Sequence, residues 1–232
     1  NIQTALLESG REAAQWQRSY VEEQEQPLIE KLRAAGVEIV YTPSAEDMYP
    51  QGFITTVSVG EMGKILCGKF RPGHFDGVAT VVTLLFNMTQ PDAAFFGEKD
   101  WQQLQLVRRL VADLQLPLDI VPCPCVRAED GLALSSRNGY LTAAERALAP
   151  ELARTMNWIA EQIEAGNHHL PSLVAQASQR LDNAGFRTDA IDIVDADTLE
   201  SASAASKRLV ILMAAYLGKA RLIDNRVVPL QG

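Results

Sequence analysis

The chain is short of several things. It has three cysteines, three histidines and 6% aromatic residues in 232. Cys67, Cys123 and Cys125 are too few, and odd in number, for a disulfide framework. Cys123-Pro124-Cys125 has no second Cys or His pair at ligand spacing, and a structural zinc site asks for more ligands than this, so no metal-ligating residue is assigned. No apolar run is long enough to cross a bilayer and the first residues hold no signal-peptide core, so neither a membrane span nor a leader is expected. Positive charge is scarce too: 21 Lys and Arg stand against 29 Asp and Glu, a net charge of −8. Such a surface argues against nucleic-acid and membrane partners, and an anionic ligand must then meet a local cluster of cations. The expected compartment is a reducing cytoplasm. Residue 1 is Asn rather than Met, as in a processed chain or a fragment.

What is present is ordinary for a globular protein: 47% hydrophobic and 22% charged residues, with length for one large domain or two small ones. Residues 4 to 35 read as helix, broken near Pro27. Val37 to Tyr41 and Ile54 to Val59 read as extended segments, and Val59 to Leu66 as a short helix. Gly77 to Thr89 has the length and spacing of a buried helix, Ala93 to Phe96 those of a core strand. From Asp100, Leu104, Val107, Leu110, Val111 and Leu114 form one helical stripe, and Leu118 to Val121 is a further strand. Strands alternating with helices predict an α/β fold with a partial Rossmann-like parallel sheet. After Tyr140 the pattern changes. Thr142-Ala143-Ala144-Glu145 is a capping box opening a helix that Pro150 should kink. Another helix spans Leu173 to Ala184, and strands follow over Ile191–Val194, Leu209–Tyr216 and Ala220–Ile223. The expected division is 1–139, Rossmann-like, and 140–232, a small α+β domain.

Two polar stretches could do chemistry. Gly97-Glu98-Lys99-Asp100 follows a strand, where ligands of α/β sheets bind. Gly97 would let a ligand approach the backbone, and the helix amides after Asp100 attract phosphate oxygens. Lys99 and Gln103 are four apart and share a face. The plain alternative is a surface helix capped by Asp100. Ser135-Ser136-Arg137 adds two hydroxyls and a guanidinium, good phosphate donors, although alone it reads as a loop. Together the two stretches point to an enzyme that binds ATP without a P-loop. Arg71-Pro72-Gly73-His74 is a stiff turn presenting a cation and an imidazole. A lone histidine such as His74 is as readily a packed residue as a substrate contact, and His168 and His169 fall in a polar loop.

Three segments resemble one family. Gly68-Lys69-Phe70-Arg71-Pro72-Gly73-His74-Phe75-Asp76-Gly77-Val78, Phe96-Gly97-Glu98-Lys99-Asp100-Trp101-Gln102-Gln103-Leu104 and Asp130-Gly131-Leu132-Ala133-Leu134-Ser135-Ser136-Arg137-Asn138 look like pantoate–β-alanine ligase, a fold of nucleotidyl-transferase type. The likeness runs from about Ala34 onward and includes Leu217 to Asn225. It implies that pantoate and ATP form pantoyl adenylate and pyrophosphate, and that β-alanine then displaces AMP. It also implies roles. Gly97 and Asp100 would hold the ribose, Lys99 the phosphates and Gln103 pantoate. Ser135, Ser136 and Arg137 would clamp the triphosphate, and Arg71 and His74 would line the acyl side. Magnesium would offset the phosphate charge, and a homodimer is the family's usual assembly.

The family's Pro-Thr-Met-Gly, His-x-Gly-His and Phe-Val-Asn-Pro-x-Gln-Phe motifs do not occur in this sequence. The expectation is therefore that this chain alone has little or no activity. The competing reading is a catalytically inactive homologue serving as a binding or oligomerisation module.

Overall fold

A computed structural model describes residues 27–230, so the helix expected over residues 4–26 lies outside the described residues. The chain divides into two compact units at Phe53/Ile54. In the first, residues 27–34 are helical and Ala45–Met48 is one helical turn. That turn is closed by a capping box in which Ser44 and Asp47 satisfy each other's backbone amides. Val37 to Tyr41 forms no strand. A β-strand needs a neighbour to complete its ladder, and the described part of this unit has none.

The larger unit contains the regular structure. Helix α1 (His74–Thr89) leads to strand β1 (Ala93–Gly97), a 3-10 turn (Glu98–Asp100), helix α2 (Trp101–Asp113) and strand β2 (Asp119–Cys123). β1 and β2 pair in parallel from Ala93↔Asp119 to Gly97↔Cys123, with α2 as the crossover. The sequence then turns antiparallel. Helices α3 (Ala143–Leu148), α4 (Glu151–Glu164) and α5 (Leu170–Asn183) precede strands β3 (Arg187–Asp195), β4 (Arg208–Leu217) and β5 (Ala220–Pro229) in the order β3-β4-β5. The α/β class, with a parallel sheet followed by an antiparallel one, is the one expected. Among the described residues no helix is long and apolar enough to cross a membrane.

Three local expectations need correction. Ile54–Val59 joins no sheet; its amides go instead to side chains of α1, Val57 N–H to Thr80 Oγ1 at 2.9 Å and Val59 N–H to Asp76 Oδ1 at 3.2 Å. The helix expected over Val59–Leu66 is two separate 3-10 turns, Gly60–Gly63 and Leu66–Phe70. Between them, buried Gln102 donates to the carbonyls of Met62 and Ile65 and accepts from Cys67 N–H, bonds that compete with a continuous helix. Pro150 divides rather than kinks: α3 ends at Leu148 and Pro150 is the N-cap of α4.

The antiparallel sheet has two unlike faces. Ile191 and Ile193 of β3, Ile211, Met213 and Ala215 of β4, and Leu222 and Val228 of β5 join Leu152, Met156, Ile159, Leu173 and Leu181 of α4 and α5 in one core. On the opposite face, Val210 packs with Trp101, Leu104, Ala196 and Leu199. Trp101 Nε1–H donates to Ala196 O at 2.9 Å, which keys the start of α2 to the end of β3. The rest of that face is left for a cleft.

Candidate active site

The cleft is about 630 Å³ and opens between the start of α2 and the antiparallel sheet. Cross-strand register fixes its roof. Asp192 lies opposite Leu212, which lies opposite Asn225; Ala190 lies opposite Ala214, then Ile223; Tyr216 lies opposite Arg221. All of these face the cleft.

Its floor is built by turns. Gly73 has φ +77° and begins α1, so the chain reverses there and presents Arg71 and His74. Gly68 allows this turn to pack, since a Cβ there would sit 2.0 Å from Gly63 O. Gly97 closes β1 in open space, with nothing within 4 Å of where a Cβ would be. Asp100 occupies the N-cap of α2 but makes no side-chain capping bond. Its carboxylate is therefore not spent on the helix, contrary to the capped-surface alternative. The third wall is a small hairpin in which Ala128 N–H bonds Leu132 O and Leu134 N–H bonds Val126 O. Ser135 follows at once and its Oγ accepts from Arg137 N–H at 3.2 Å, starting the 3-10 turn Ser136–Tyr140.

Seven of the expected site residues line this one cleft: Arg71, His74, Lys99, Asp100, Gln103, Ser135 and Arg137. Gly97 and Ser136 do not line it themselves but adjoin residues that do or that lead to them. His168 and His169 lie in the loop before α5, away from it. The sequence reading missed Asp189, Asp192, Lys219, Arg221, Asp224 and Asn225, all from the antiparallel sheet and its hairpin. The resemblance over Leu217–Asn225 was the one signal available for four of them.

Charges in the cleft sort by partner. Arg221 pairs with Asp189 at 2.8 Å, and Asp224 with Arg127 at 2.7 Å. Arg71, Lys99, Arg137 and Lys219 have no ion-pair partner among the described residues, so four cations are available to an anionic ligand. This is the local positive cluster that a chain of net charge −8 needs to hold phosphates. Asp192 is a half-buried carboxylate whose pKa is raised by burial, an effect that nearby Lys69 offsets in part. Burial also raises the pKa of the Cys125 thiol, against the pull of Arg127. Among the described residues no three His, Cys, Asp or Glu side chains cluster as a metal cage.

Residues 17–227 match the family model of Pantoate-beta-alanine ligase. The chain belongs to the pantoate–β-alanine ligase family. It is 73% identical over 201 residues to a pantothenate synthetase of Aeromonas hydrophila, covering 86% of this chain and 70% of that one. It is 54% identical over 198 residues to one from Pseudomonas fluorescens, covering 84% and 69%. A crystal structure of the Thermus thermophilus enzyme superposes with a TM-score of 0.76 at 43% identity, covering 88% of this chain and 73% of that chain. The Francisella tularensis ligase, solved in complex with β-γ ATP and β-alanine, superposes at 0.65 with 33% identity, covering 87% and 69%.

Proposed function

We propose that the cleft condenses pantoate with β-alanine at the expense of ATP, through pantoyl adenylate. The observation that carries this reading is the convergence of seven motif residues on one cleft, with four cations that have no ion-pair partner among the described residues. The family, and the β-γ ATP and β-alanine bound by the Francisella relative, support it.

In the first step a pantoate carboxylate oxygen attacks the α-phosphorus, and pyrophosphate leaves. Lys99, Ser135, Ser136 and Arg137 receive the triphosphate, placing donors where negative charge shifts onto the leaving group. Gly97 gives the ribose room to approach the backbone, and the free Asp100 carboxylate accepts from its hydroxyls. Gln103, Arg71 and His74 hold pantoate, the guanidinium and amide fixing its carboxylate in line. In the second step the neutral amine of β-alanine attacks the acyl carbon, AMP leaves with the bonding pair, and the nitrogen gives up a proton to solvent to become the amide. Magnesium fits as a companion of the phosphates rather than a resident ion: the described residues offer no cage, and the metal commonly keeps several waters beside one or two carboxylates. No residue is assigned to hold it; bound beside the phosphates, the ion would supply charge screening. The reading carries with it a cytoplasmic enzyme, in keeping with three free thiols, and a homodimer.

AMP release by the purified chain with ATP, magnesium, pantoate and β-alanine tests the reading, each substrate being omitted in turn. With the Pro-Thr-Met-Gly and His-x-Gly-His motifs missing from this sequence, the expected AMP release is weak but dependent on all substrates, and Lys99→Ala should lower it by about a further 10²- to 10³-fold. A folded chain that binds ATP but releases no AMP would instead assign it the role of a binding module.

A further inference from the structure

The two segments proposed to receive phosphate, Lys99 at the end of β1 and Ser135–Arg137 after the hairpin, share no direct hydrogen bond in the structure. Two consecutive residues of β5 reach both, the first segment directly and the second through Arg127 of the hairpin that precedes it. Asn225 Nδ2 donates to Glu98 O at 2.8 Å and to Lys99 O at 2.7 Å. Asp224 takes Arg127 in a bidentate pair, Nη1 to Oδ2 at 2.7 Å and Nη2 to Oδ1 at 2.8 Å. Arg127 Nη1 also donates to Gly131 O at 3.1 Å, inside the hairpin that delivers Ser135. Asp224 Oδ1 then accepts from Asn225 N–H at 2.8 Å, joining the two arms. Consecutive strand residues point to opposite faces, so one dipeptide can reach two separate segments.

Packing alone does not account for this arrangement. The Asp224 side chain is 2% exposed and that of Arg127 30%. Removing such charges from water costs enough that well-packed apolar residues often serve stability as well or better. What a bidentate pair and a two-fold donor supply, and apolar residues do not, is fixed direction. We propose that Asp224 and Asn225 form a strut that sets the spacing between the two phosphate-facing segments, making both positioning residues for the nucleotide. The inference rests on the ligase reading for what the segments bind.

The test separates the half-reactions. Asn225→Asp keeps shape but loses the donor, and Asn225→Ala loses both; thermal melting checks that each folds. Pantoate-dependent exchange of pyrophosphate into ATP reads the first step, and aminolysis of supplied pantoyl adenylate by β-alanine reads the second. The strut predicts a rise of about tenfold or more in KM for ATP in exchange, from the loss of two hydrogen bonds. It predicts less than about a threefold change in aminolysis, where no pyrophosphate has to be held. Equal losses in both steps, or none in either, would overturn it. If the unsubstituted chain shows no exchange, the ligase reading fails separately. The strut is then decided by ATP titration: weaker binding by both variants upholds it, and an unchanged Kd overturns it.

Discussion

The two sheets of the larger unit differ in how much of their surface the described chain covers. The antiparallel sheet has helices α4 and α5 over one face, α2 and the cleft over the other, and a continuous core. The parallel sheet has two strands, and Phe95, in the middle of β1, is 69% exposed. The first sheet is a scaffold whose geometry follows from burial. The second is the proposed ligand platform, with Gly97 at the end of β1 and Lys99 in the turn that follows, and it is held in place largely from outside. Trp101 bonds Ala196 and Asn225 bonds the carbonyls of Glu98 and Lys99, so the platform is fastened to the scaffold at its working end. Rigid support from one region leaves the other free to expose polar groups, the arrangement expected where a site needs precision without its own core.

Breaking the tie between β5 and the hairpin should have the largest effect. Asp224→Ala leaves Arg127 with its partner removed in a mostly buried position, at a cost of about 3–5 kcal/mol of unfolding free energy by urea titration. A loss under about 1 kcal/mol would mean that the pair does not hold the hairpin to β5. Next comes the scaffold itself. Leu173 is fully buried in the core of α4, α5 and the sheet. Leu173→Ala should cost about 2–5 kcal/mol, with the cleft's ATP affinity unchanged in the surviving folded fraction. A change in affinity larger than the change in folded fraction would show that scaffold and platform are less separable than the comparison holds.

The same contrast decides what could be read from sequence. Helices α1, α2, α4 and α5 and strands β1 to β4 carried the period of a buried face and were legible to within a few residues. The strand expected over Ala220–Ile223 in fact runs to Pro229. It was cut short because Asp224, Asn225 and Arg226 break the apolar pattern. The structure gives each a bonding partner: Arg127, the carbonyls of Glu98 and Lys99, and Asn157 with Glu164. Polar residues inside a strand weaken its signature where they do structural or functional work. Val37–Tyr41 erred the other way: β-branched residues suggested a strand, and the described part of its unit holds no strand to pair with it. The site motifs were legible because Lys99, Asp100, Gln103, Ser135 and Arg137 lie in short segments of unusual polarity. The roof was not, because Asp189 at a β-bulge, Asp192 within β3 and Lys219 in the β4–β5 turn reach one cleft only once the three strands have paired.

Asp192 offers a smaller, pH-dependent test of the roof. Its pKa is higher in the folded protein than in the unfolded chain because burial disfavours the carboxylate. The folded state then holds a proton that the unfolded state has lost, so this residue's contribution is fully present below the unfolded pKa and is lost as pH rises through the folded one. Asn cannot ionise. Asp192→Asn should therefore gain stability relative to the unsubstituted chain between about pH 4 and about pH 7, measured by urea unfolding at both. A constant difference would place Asp192 in water, and the roof would be more open than its register indicates.

The smallest expected change is at Phe95, and it tests the exposed side of the comparison. Thr is β-branched and, like Phe, suits a strand, so Phe95→Thr removes an aromatic ring from the surface with little effect on the ladder. If the ring faces water, unfolding free energy should shift by no more than about 0.5 kcal/mol. The tendency to associate should fall, because an exposed apolar residue on a strand invites edge and face contacts. A loss of about 2 kcal/mol or more would have another meaning. A ring worth that much is buried in solution, by a second copy or by another part of the protein. The platform would then have a cover of its own, and sedimentation of the Phe95→Thr variant against the unsubstituted chain would show whether that cover is a second copy.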